Sequence, residues 1–254
     1  MRDHVRGRRQ HGSFISSLVD CQKSLLNKYA PDLEKSGAIF LEEKMKKLFI
    51  IAGHQAAGKT TAKIILEEAL RDNFKKYPST KIQSWEEAGA MIIKKHQGGG
   101  GQFISTQQEK EIIEFDLARL KKLIINTQEN LIIIDETNIF SLAHANARGL
   151  NWEKKYLKNY LEYLQSIETT IIFLESLPEI SWQRRQKKYQ ERCLGMDEEQ
   201  ATEAMQSYRT YLNNLYPSLL ALYEKMPFPK IKINTDQPEN LTIQLISDFV
   251  KKHL

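Results

Sequence analysis

Residues 53–60 read Gly53-His54-Gln55-Ala56-Ala57-Gly58-Lys59-Thr60, which fits the pattern G-x-x-x-x-G-K-[ST]. The run before it, Leu48–Ala52, is apolar and of strand length, and the residues from Thr61 to Asn73 read as a helix. Glycines at two positions of the loop let successive N–H groups and the positive end of the helix face one anion. The order of strand, loop and helix therefore predicts a binding site for the phosphates of ATP.

The loop residues have separate expected roles. The amine of Lys59 can reach the β- and γ-phosphates, and the hydroxyl of Thr60 can hold Mg²⁺. The residues expected to contact the nucleotide are Gly53, His54, Gln55, Ala56, Ala57, Gly58, Lys59, Thr60 and Thr61. A chance glycine-rich turn is the alternative, and the flanking strand and helix disfavour it. We therefore expect ATP and Mg²⁺ as cofactors.

Composition narrows the class of protein. The chain has 254 residues, 41% of them hydrophobic, which suits one α/β domain with an appendage. No apolar run approaches the roughly 20 residues of a membrane-spanning helix. Cys21 and Cys193 make no disulfide framework, so we expect a reducing, cytoplasmic setting. The net charge of +5 suits nucleotide phosphates as well as nucleic acid, so we infer no nucleic-acid partner. A homodimer is compatible with the sequence.

The chain is expected to divide into a leader at residues 1–44 and a domain at residues 45–254. Arg2 to Gly12 is polar and reads as disordered, and Phe14 to Tyr29 has the spacing of an amphipathic helix. Two interpretations stay open. Met45 is the true initiator, or the N-terminal helix docks on the domain or on a partner.

From Lys46 onward, strand-like and helix-like segments alternate. We expect strands at Leu48–Ala52, Thr80–Trp85, Leu131–Asp135, Thr169–Leu174 and Lys230–Asn234. We expect helices at Thr60–Asn73, Glu86–Lys95, Thr106–Asn126, Trp152–Gln165, Pro178–Cys193, Asp197–Glu224 and Pro238–Lys252. This alternation predicts a three-layer α/β fold, with a mainly parallel five-stranded sheet between helices and ligands at the carboxyl ends of the strands.

The strand Leu131–Asp135 ends in two carboxylates, those of Asp135 and Glu136. An acid at the end of such a strand can hold the Mg²⁺ shell opposite Thr60. A buried strand capped by solvated acids is the alternative. Because the chain also has a phosphate loop, we expect Asp135 to act at the metal site through water.

Several segments resemble the thymidylate kinases and deoxynucleoside kinases. Asp135 to His144 is similar to the Asp-Arg-x-x-x-Ser-x-x-Ala-Tyr segment of thymidylate kinases, and Phe115-Asp116-Leu117-Ala118-Arg119 resembles their Phe-x-x-Asp-Arg stretch. The strand before Pro178-Glu179 and the following Arg184-Arg185 look like the strand, turn and lid helix of both families. The resemblance covers Met45 to the C-terminus. It implies the phosphate-loop (P-loop) NTPase fold with a helical lid at about residues 181–197.

Two departures leave the acceptor open. Family members commonly carry Arg after the strand-end Asp, where this chain has Glu136. Thymidylate kinases show Arg-Glu-Pro-Gly after the second strand, where this chain reads Ser84-Trp85-Glu86-Glu87. A Glu at that place resembles the general base of deoxynucleoside kinases. Glu86 or Glu87 is therefore a candidate base, although two acids that open a helix are equally explained by the helix dipole.

The resemblance implies transfer of the γ-phosphate of ATP to a small acceptor, above all a nucleoside or nucleoside monophosphate. The expected catalytic residues are Lys59, Glu86, Asp135, Arg184 and Arg185, with Lys188 and Arg192 as further lid cations. The expected acceptor-binding residues are Trp85, Phe115, Asp116, Arg119 and Asn138. The alternatives without a functional role are a solvated basic helix face for the lid cations and a structural ion pair between Asp116 and Arg119. The loop at Gly98–Gly101 is a mobile element over the acceptor or a surface linker.

Three other functions remain open. A P-loop ATPase could use Glu136 to activate water and drive a conformational switch or a partner. Zeta-toxin-like and antibiotic-type kinases share the expected layout with another small acceptor. A binding protein could keep the loop without catalysis, although intact Lys59, Thr60 and Asp135 disfavour that reading.

Overall fold

The structure is a computed structural model, and it describes residues 46–74, 80–96, 104–125 and 130–253. The expected leader at 1–44 and the loop at Gly98–Gly101 lie outside these residues. Five strands form the sheet: β1 (Lys46–Gly53), β2 (Thr80–Trp85), β3 (Asn130–Glu136), β4 (Glu168–Glu175) and β5 (Lys230–Asn234). Their order is β2-β3-β1-β4-β5, and every neighbouring pair is parallel.

Eight α-helices follow in the described part of the chain: α1 (Lys59–Phe74), α2 (Ala88–Lys95), α3 (Thr106–Ile125), α4 (Ser141–Ala147), α5 (Glu153–Gln165), α6 (Pro178–Arg192), α7 (Glu198–Lys225) and α8 (Glu239–Lys252). A 3₁₀ turn, Asn138–Phe140, precedes α4. The expected strands and seven expected helices are present, whereas the 3₁₀ turn and α4 were not expected from the sequence.

The sheet is covered on both faces, which confirms the predicted three-layer α/β class. Because successive side chains of a strand point to opposite faces, Leu48 and Ile50 of β1 join one core with α3, α4, α5 and α7. Phe49 and Ile51 join the other core with α1 and α8. The central strand is therefore apolar on both sides, as its sequence predicts.

The strand register brings the expected site residues together at one edge of the sheet. Ile50 of β1 lies opposite Asp135 of β3, and Trp85 of β2 also lies opposite Asp135. The phosphate loop, the carboxylates after β3 and the segment after β2 therefore leave the same end of the sheet side by side. Within the described ranges, we find no helix long and apolar enough to cross a membrane.

Candidate active site

The loop between β1 and α1 has a backbone conformation that requires or favours glycine at two positions. Gly53 has φ 149°, and a Cβ there would collide with the carbonyl oxygen of Leu174. Gly58 has φ 87°, a value that favours glycine. Helix α1 begins at Lys59, so its N-terminal N–H groups open onto the loop. The amine of Lys59 folds back to within 3.4 Å of the carbonyl oxygens of Gly53 and His54. This cradle fits a chain of phosphates.

Two side chains of the loop attach it to distant helices. The Nε2 atom of His54 lies 2.9 Å from the carbonyl oxygen of Leu212 in α7. The hydroxyl of Tyr189 in α6 donates to Oε1 of Gln55 at 2.7 Å. Burial lowers the pKa of His54, so the ring is neutral and donates through Nε2. The sequence offered no sign of these roles, because the partners lie more than a hundred residues away.

The carboxylates of Asp116 and Asp135 are fully buried and share one guanidinium. Arg119 binds Asp116 and lies 3.4 Å from Oδ1 of Asp135. Asn138 donates to the other oxygen of Asp135 at 2.6 Å, and Ser141 donates to Asp116 at 2.8 Å. Burial raises the pKa of both acids, and for Asp135 repulsion from Asp116 adds to the effect. This network therefore joins α3, the end of β3 and α4.

Arg119 also organises the aromatic side chains that the sequence assigned to the acceptor. Its guanidinium lies 4.8 Å from the ring centre of Trp85 and 5.0 Å from that of Phe115, and it donates to the carbonyl oxygen of Glu86 at 2.8 Å. The five expected acceptor-binding residues are thus close together. Trp85, Phe115 and Asp116 contact Arg119, whereas Asn138 is joined to Arg119 through Asp135. The nearby cavity is lined by other residues.

That cavity has a volume of about 740 Å³ and adjoins the phosphate loop through Gln55 and Lys59. Its remaining lining residues are Glu87, Gly89, Ala90, Ile93, Lys94, Ile104, Glu109, Ile112, Thr137, Ser141, His144, Arg148, Arg185, Lys188, Arg192, Met196 and Tyr211. Among all the described lining residues, with Lys59 included, six side chains are lysine or arginine and two are glutamate. The cavity therefore favours anionic ligands.

Helix α6 presents its cations in two directions. Arg185, Lys188 and Arg192 line the cavity. The positive charge of Arg185 is the main reason that the pKa of Lys188 is lowered, which indicates that these cations lie close together. Arg184 lies elsewhere: its guanidinium donates to the carbonyl oxygens of Ala56 at 3.3 Å and Thr235 at 3.1 Å. Only the second of the two predicted catalytic arginines thus faces the cavity.

The three candidate bases also occupy different places. Glu87 lines the cavity at the start of α2, whereas Glu86 is exposed outside it. Glu136 is buried, and its carboxylate forms a 2.9 Å ion pair with Lys63 of α1. The structure therefore separates the three acids, including Glu86 and Glu87, which are adjacent along the sequence.

The far wall of the cavity carries a polar cluster that the sequence analysis missed. Arg148 binds Glu109 at 2.6 Å and the hydroxyl of Tyr211 at 3.3 Å. That hydroxyl also lies 2.6 Å from Nδ1 of His144. Burial raises the pKa of Glu109 to about 7 even though Arg148 opposes the shift, and burial lowers the pKa of His144 well below its usual range. No sequence motif marks these residues, because they come from three helices.

The donor set at the end of β1 and β3 fits Mg²⁺. Thr60 has an exposed hydroxyl in the first turn of α1, and Asp135 supplies a carboxylate. Hydroxyl and carboxylate oxygens suit this ion, which keeps several waters and few protein ligands. Both oxygens of Asp135 already accept hydrogen bonds, which suits contact with the ion through water. No cluster of three or more metal-binding side chains occurs among the described residues.

Comparison with known proteins adds similarities of fold. No protein-family model matches the chain, and no curated protein sequence matches it. Among solved structures, shikimate kinase from Acinetobacter baumannii in complex with shikimate is 16% identical, with a TM-score of 0.45, over 84% of this chain and 97% of the other.

Two structures of deoxyadenosine kinase from M. mycoides are also similar. The one with bound dATP is 17% identical, with a TM-score of 0.49, over 82% of this chain and 100% of the other. The one with bound dCMP and a flexible dCDP is 18% identical, with a TM-score of 0.47, over 81% and 98%. The parallel sheet and the helices on both of its faces place the chain in the three-layer α/β class.

Proposed function

We propose that this protein is an ATP- and Mg²⁺-dependent kinase that transfers the γ-phosphoryl group of ATP to a small hydroxylated acceptor. One observation carries the proposal. A cavity of about 740 Å³ joins Lys59 of the phosphate loop to a carboxylate, Glu87, and to three cations of α6. Phosphoryl transfer needs these parts in one enclosed place: a phosphate cradle, a group that takes the acceptor's proton, and positive charge around the transferring group.

The residues have the following roles in this proposal. Loop N–H groups and Lys59 hold the β- and γ-phosphates, while Arg185, Lys188 and Arg192 offset the charge that spreads over the transferring group. Mg²⁺, held by Thr60 and through water by Asp135, would neutralise phosphate charge. The acceptor oxygen forms a bond to the γ-phosphorus as the bond to the β-phosphate oxygen breaks. The acceptor's proton passes to a carboxylate.

We assign that carboxylate to Glu87. Glu87 lies in the cavity wall, and its charge raises the pKa of two residues nearby, Asp116 and Tyr211, among other causes. Glu86 is exposed, and its backbone carbonyl is tied to Arg119. The sequence limited the candidate base after β2 to Glu86 or Glu87, and we therefore assign it to Glu87. Glu86 keeps the indirect role of fixing Arg119.

Arg184 is proposed to position the nucleotide rather than to act on the transferring group. It ties the loop carbonyl of Ala56 to the turn after β5, where it also approaches Asp236 at 3.5 Å. Contacts with loop and turn together hold the phosphate cradle in shape. In this proposal the adjacent Arg184 and Arg185 of α6 have different roles because their side chains point in different directions.

The ATPase alternative loses its main support in this structure. It requires Glu136 to face water beside the γ-phosphate. Instead, Glu136 is buried and paired with Lys63 at 2.9 Å, and it does not line the cavity. A carboxylate held in a buried ion pair has its charge compensated and is a poor base for water.

A nucleoside or a nucleoside monophosphate remains the leading acceptor, from the resemblance of 135–144 and 115–119 to the families named above. Another small alcohol, as in zeta-toxin-like or antibiotic-type kinases, is the alternative. The network around Arg119 is then proposed to support the acceptor site from behind, through Asp116 and Ser141. We also propose that the protein acts in a reducing, cytoplasmic setting.

The test is acceptor-dependent turnover. ADP release from Mg·ATP is measured with deoxynucleosides, nucleoside monophosphates and other small hydroxylated compounds, and the products are identified by mass. We expect one class to raise ADP release by at least about 10²-fold over water alone. ATP hydrolysis that ignores every small acceptor but rises with a macromolecule would overturn the kinase proposal.

A further inference from the structure

The segment that follows β3 presents a row of polar side chains to the cavity. Thr137, Ser141, His144 and Arg148 recur at helical spacing, and all four line the cavity that adjoins Lys59. Ser141 and Arg148 donate to buried carboxylates of the protein. His144 differs from them, because only one of its two ring nitrogens has a hydrogen-bond partner among the described residues.

The ring of His144 is held by Tyr211 of α7. Its Nδ1 atom lies 2.6 Å from the Tyr211 hydroxyl, and the centres of the two rings are 6.2 Å apart. Tyr211 is buried, whereas His144 is half-buried in the cavity wall. The second ring nitrogen, Nε2, is not one of the described buried atoms that lack a partner, so it is accessible from the cavity. The hydrogen bond at Nδ1 therefore orients a ring whose other nitrogen can meet a ligand.

The hydrogen bonds of Tyr211 decide which nitrogen of His144 carries the proton. A guanidinium can only donate, and Arg148 donates to the Tyr211 oxygen at 3.3 Å. The hydroxyl proton of Tyr211 then needs an acceptor, and in the described part of the chain Nδ1 of His144 is the one within reach. A hydroxyl that donates to Nδ1 requires this nitrogen to be unprotonated. The proton of the neutral ring is therefore on Nε2.

The surrounding charges keep this donor neutral. Burial lowers the pKa of His144 well below its usual range, and the positive charges of Arg148 and Lys59 lower it further. Burial also raises the pKa of Tyr211; Arg148 opposes this shift, while Glu109 and Glu87 add to it. Near neutral pH the tyrosine thus keeps the proton that it donates to Nδ1. The Nε2–H group is an uncharged donor with a fixed direction, in a cavity whose other donors are mostly cations.

An uncharged donor suits another part of the ligand than the cations do. Phosphate and carboxylate oxygens gain most from charged donors such as Lys59 and Arg185. A neutral imidazole N–H pairs with a hydroxyl oxygen, a carbonyl oxygen or a ring nitrogen, and a site built this way discriminates against molecules that lack the matching atom. Lys59, Glu87 and His144 line the same cavity, so one small acceptor can meet all three.

We propose that His144 determines acceptor specificity: its Nε2–H donates to an uncharged oxygen or ring nitrogen of the acceptor, other than the hydroxyl that is phosphorylated. Tyr211 is the positioning residue that holds the imidazole in this tautomer. This inference rests on the proposed kinase function and narrows its acceptor class. Nucleosides and sugars have such a second atom, whereas a simple alcohol lacks it and would be a poor acceptor.

The first test reads the tautomer directly and needs no ligand. The full-length protein is labelled with ¹⁵N-histidine, and the signals of His144 are identified by their loss in His144→Gln. We expect one neutral form with the proton on Nε2, unchanged between about pH 6 and pH 8. Tyr211→Phe removes the donor to Nδ1 and should give a mixture of both tautomers. A proton on Nδ1, or a charged ring at neutral pH, in the wild-type protein would overturn the assignment.

The second test measures kinetics with the acceptor that the wild-type protein phosphorylates best among thymidine, deoxyadenosine, their 5′-monophosphates and D-glucose. His144→Leu should lower kcat/KM for this acceptor by about 10- to 100-fold, because the acceptor atom loses its donor. The KM of ATP should change by less than about threefold. His144→Gln, which offers an N–H group in place of Nε2–H, should recover most of the loss.

The control for these variants is His96→Gln, at an exposed histidine that ends α2 and pairs with Glu111 outside the cavity. It should behave as wild type. Thermal unfolding checks that each variant is folded. Equal losses in His144→Leu and His144→Gln would show that the ring shape matters rather than the donor, and an unchanged kcat/KM in His144→Leu would also contradict the inference.

The third test changes the acceptor and leaves the protein intact, so it does not depend on the folding of a variant. Analogues of the phosphorylated compound that lack one oxygen or ring nitrogen, as deoxy or deaza compounds, are compared with the parent. One analogue should lose at least about 10-fold in kcat/KM with the wild-type protein. The same analogue should lose far less with His144→Leu, where the hydrogen bond is already absent. Equal losses with both proteins would place the recognition elsewhere.

The two levels of the proposal fail differently. If a compound is phosphorylated and neither the His144 variants nor the analogues show the expected pattern, the kinase stands and the assignment of His144 is wrong. If the wild-type protein phosphorylates no compound, the kinase proposal fails and the acceptor role of His144 fails with it, while the NMR result still decides the tautomer.

Discussion

Lys59 is the residue on which the proposed chemistry depends most. It is the first residue of α1, its amine lies over the loop carbonyls, and it lines the cavity. Lys59→Met should lower turnover at least about 10²-fold, because the charge on the β- and γ-phosphates loses its partner. The measurement is ADP release, with thermal unfolding as the check on folding. Lys158→Met, at a lysine that is 84% exposed on α5, is the control. Undiminished turnover in Lys59→Met would refute the assigned loop.

Glu87 and Glu86 form a natural pair for testing the base. Glu87→Gln should lower acceptor phosphorylation by about 10²- to 10⁴-fold, since the amide cannot take the acceptor's proton. Glu86→Gln should change it by less than about 10-fold, because that side chain is exposed outside the cavity. Initial rates at saturating ATP measure both. The reverse order of effects would return the role to Glu86.

Thr137 stands out for backbone strain. It follows β3 with φ 84° and ψ −61°, values that a β-branched residue rarely adopts, and its hydroxyl is buried without a partner among the described residues. The backbone N–H of Thr137 is held by the carbonyl oxygen of Ile51 at 3.0 Å. This contact keeps the strained turn against β1, beside the cavity.

We expect Thr137→Gly to raise the free energy of unfolding by about 1 kcal/mol, because relief of strain exceeds the entropy cost of a glycine. Urea unfolding measures it. Thr137→Val keeps the strained backbone and removes only the hydroxyl, so it should gain less. Lower stability of the glycine variant than of the valine variant would mean that the turn is not strained.

At the scale of elements, helix α6 is the most instructive. Its two adjacent arginines face different partners: Arg185 the cavity, and Arg184 the loop and the turn after β5. Arg185→Met should lower kcat by about 10²- to 10³-fold with little change in stability. Arg184→Met should instead lower the free energy of unfolding by about 1–2 kcal/mol, since it loses charged hydrogen bonds, and should raise the KM of ATP. Steady-state kinetics and urea unfolding on both variants decide this, and identical phenotypes would contradict the two-sided helix.

The elements themselves were largely predictable. Strands β1, β3 and β4 are continuous apolar runs, and long helices such as α3 and α7 repeat apolar residues at helical spacing. Helix α4 was missed because it has only seven residues, most of them buried, so no polar face marks a period. The turn before it depends on a contact with Ile51 of β1, which a local pattern cannot contain.

At the scale of the whole molecule, buried carboxyls set the pH dependence of stability. The pKa of Glu109 is about 7 in the folded protein against 4.5 as its usual value. Between these values the folded protein binds more protons than the unfolded chain, so this group lowers the free energy of unfolding as pH rises. Asp116 and Asp135 act with the same sign, whereas the lowered pKa values of His54 and His144 act oppositely.

The difference between variants isolates Glu109. Relative to wild type, Glu109→Gln should gain stability as pH rises from about 4.5 to 7, by up to about 3 kcal/mol. Urea unfolding across this range measures the gain. A difference that stays constant with pH would show that Glu109 is ionised in the folded protein throughout, and that its pairing with Arg148 outweighs burial.

The phosphate loop, its strand and helix, and the alternation that builds a parallel sheet follow from the sequence by itself. Each depends on residues that are neighbours in the chain: glycines where the backbone needs positive φ, apolar runs where strands are covered on both faces, and Lys59 at the start of a helix. The pairing of Asp116 with Arg119, three residues apart, could be anticipated for the same reason.

Only the tertiary structure decided which of several similar side chains shares a cavity. It placed Glu87 rather than Glu86 and Arg185 rather than Arg184 in the wall, buried Glu136 against Lys63, and joined Glu109 to Arg148. The physical reason is that direction and burial depend on how helices from distant parts of the chain pack on the sheet. Charge and hydrogen-bonding capacity belong to the residue, but the partner that uses them is set by packing.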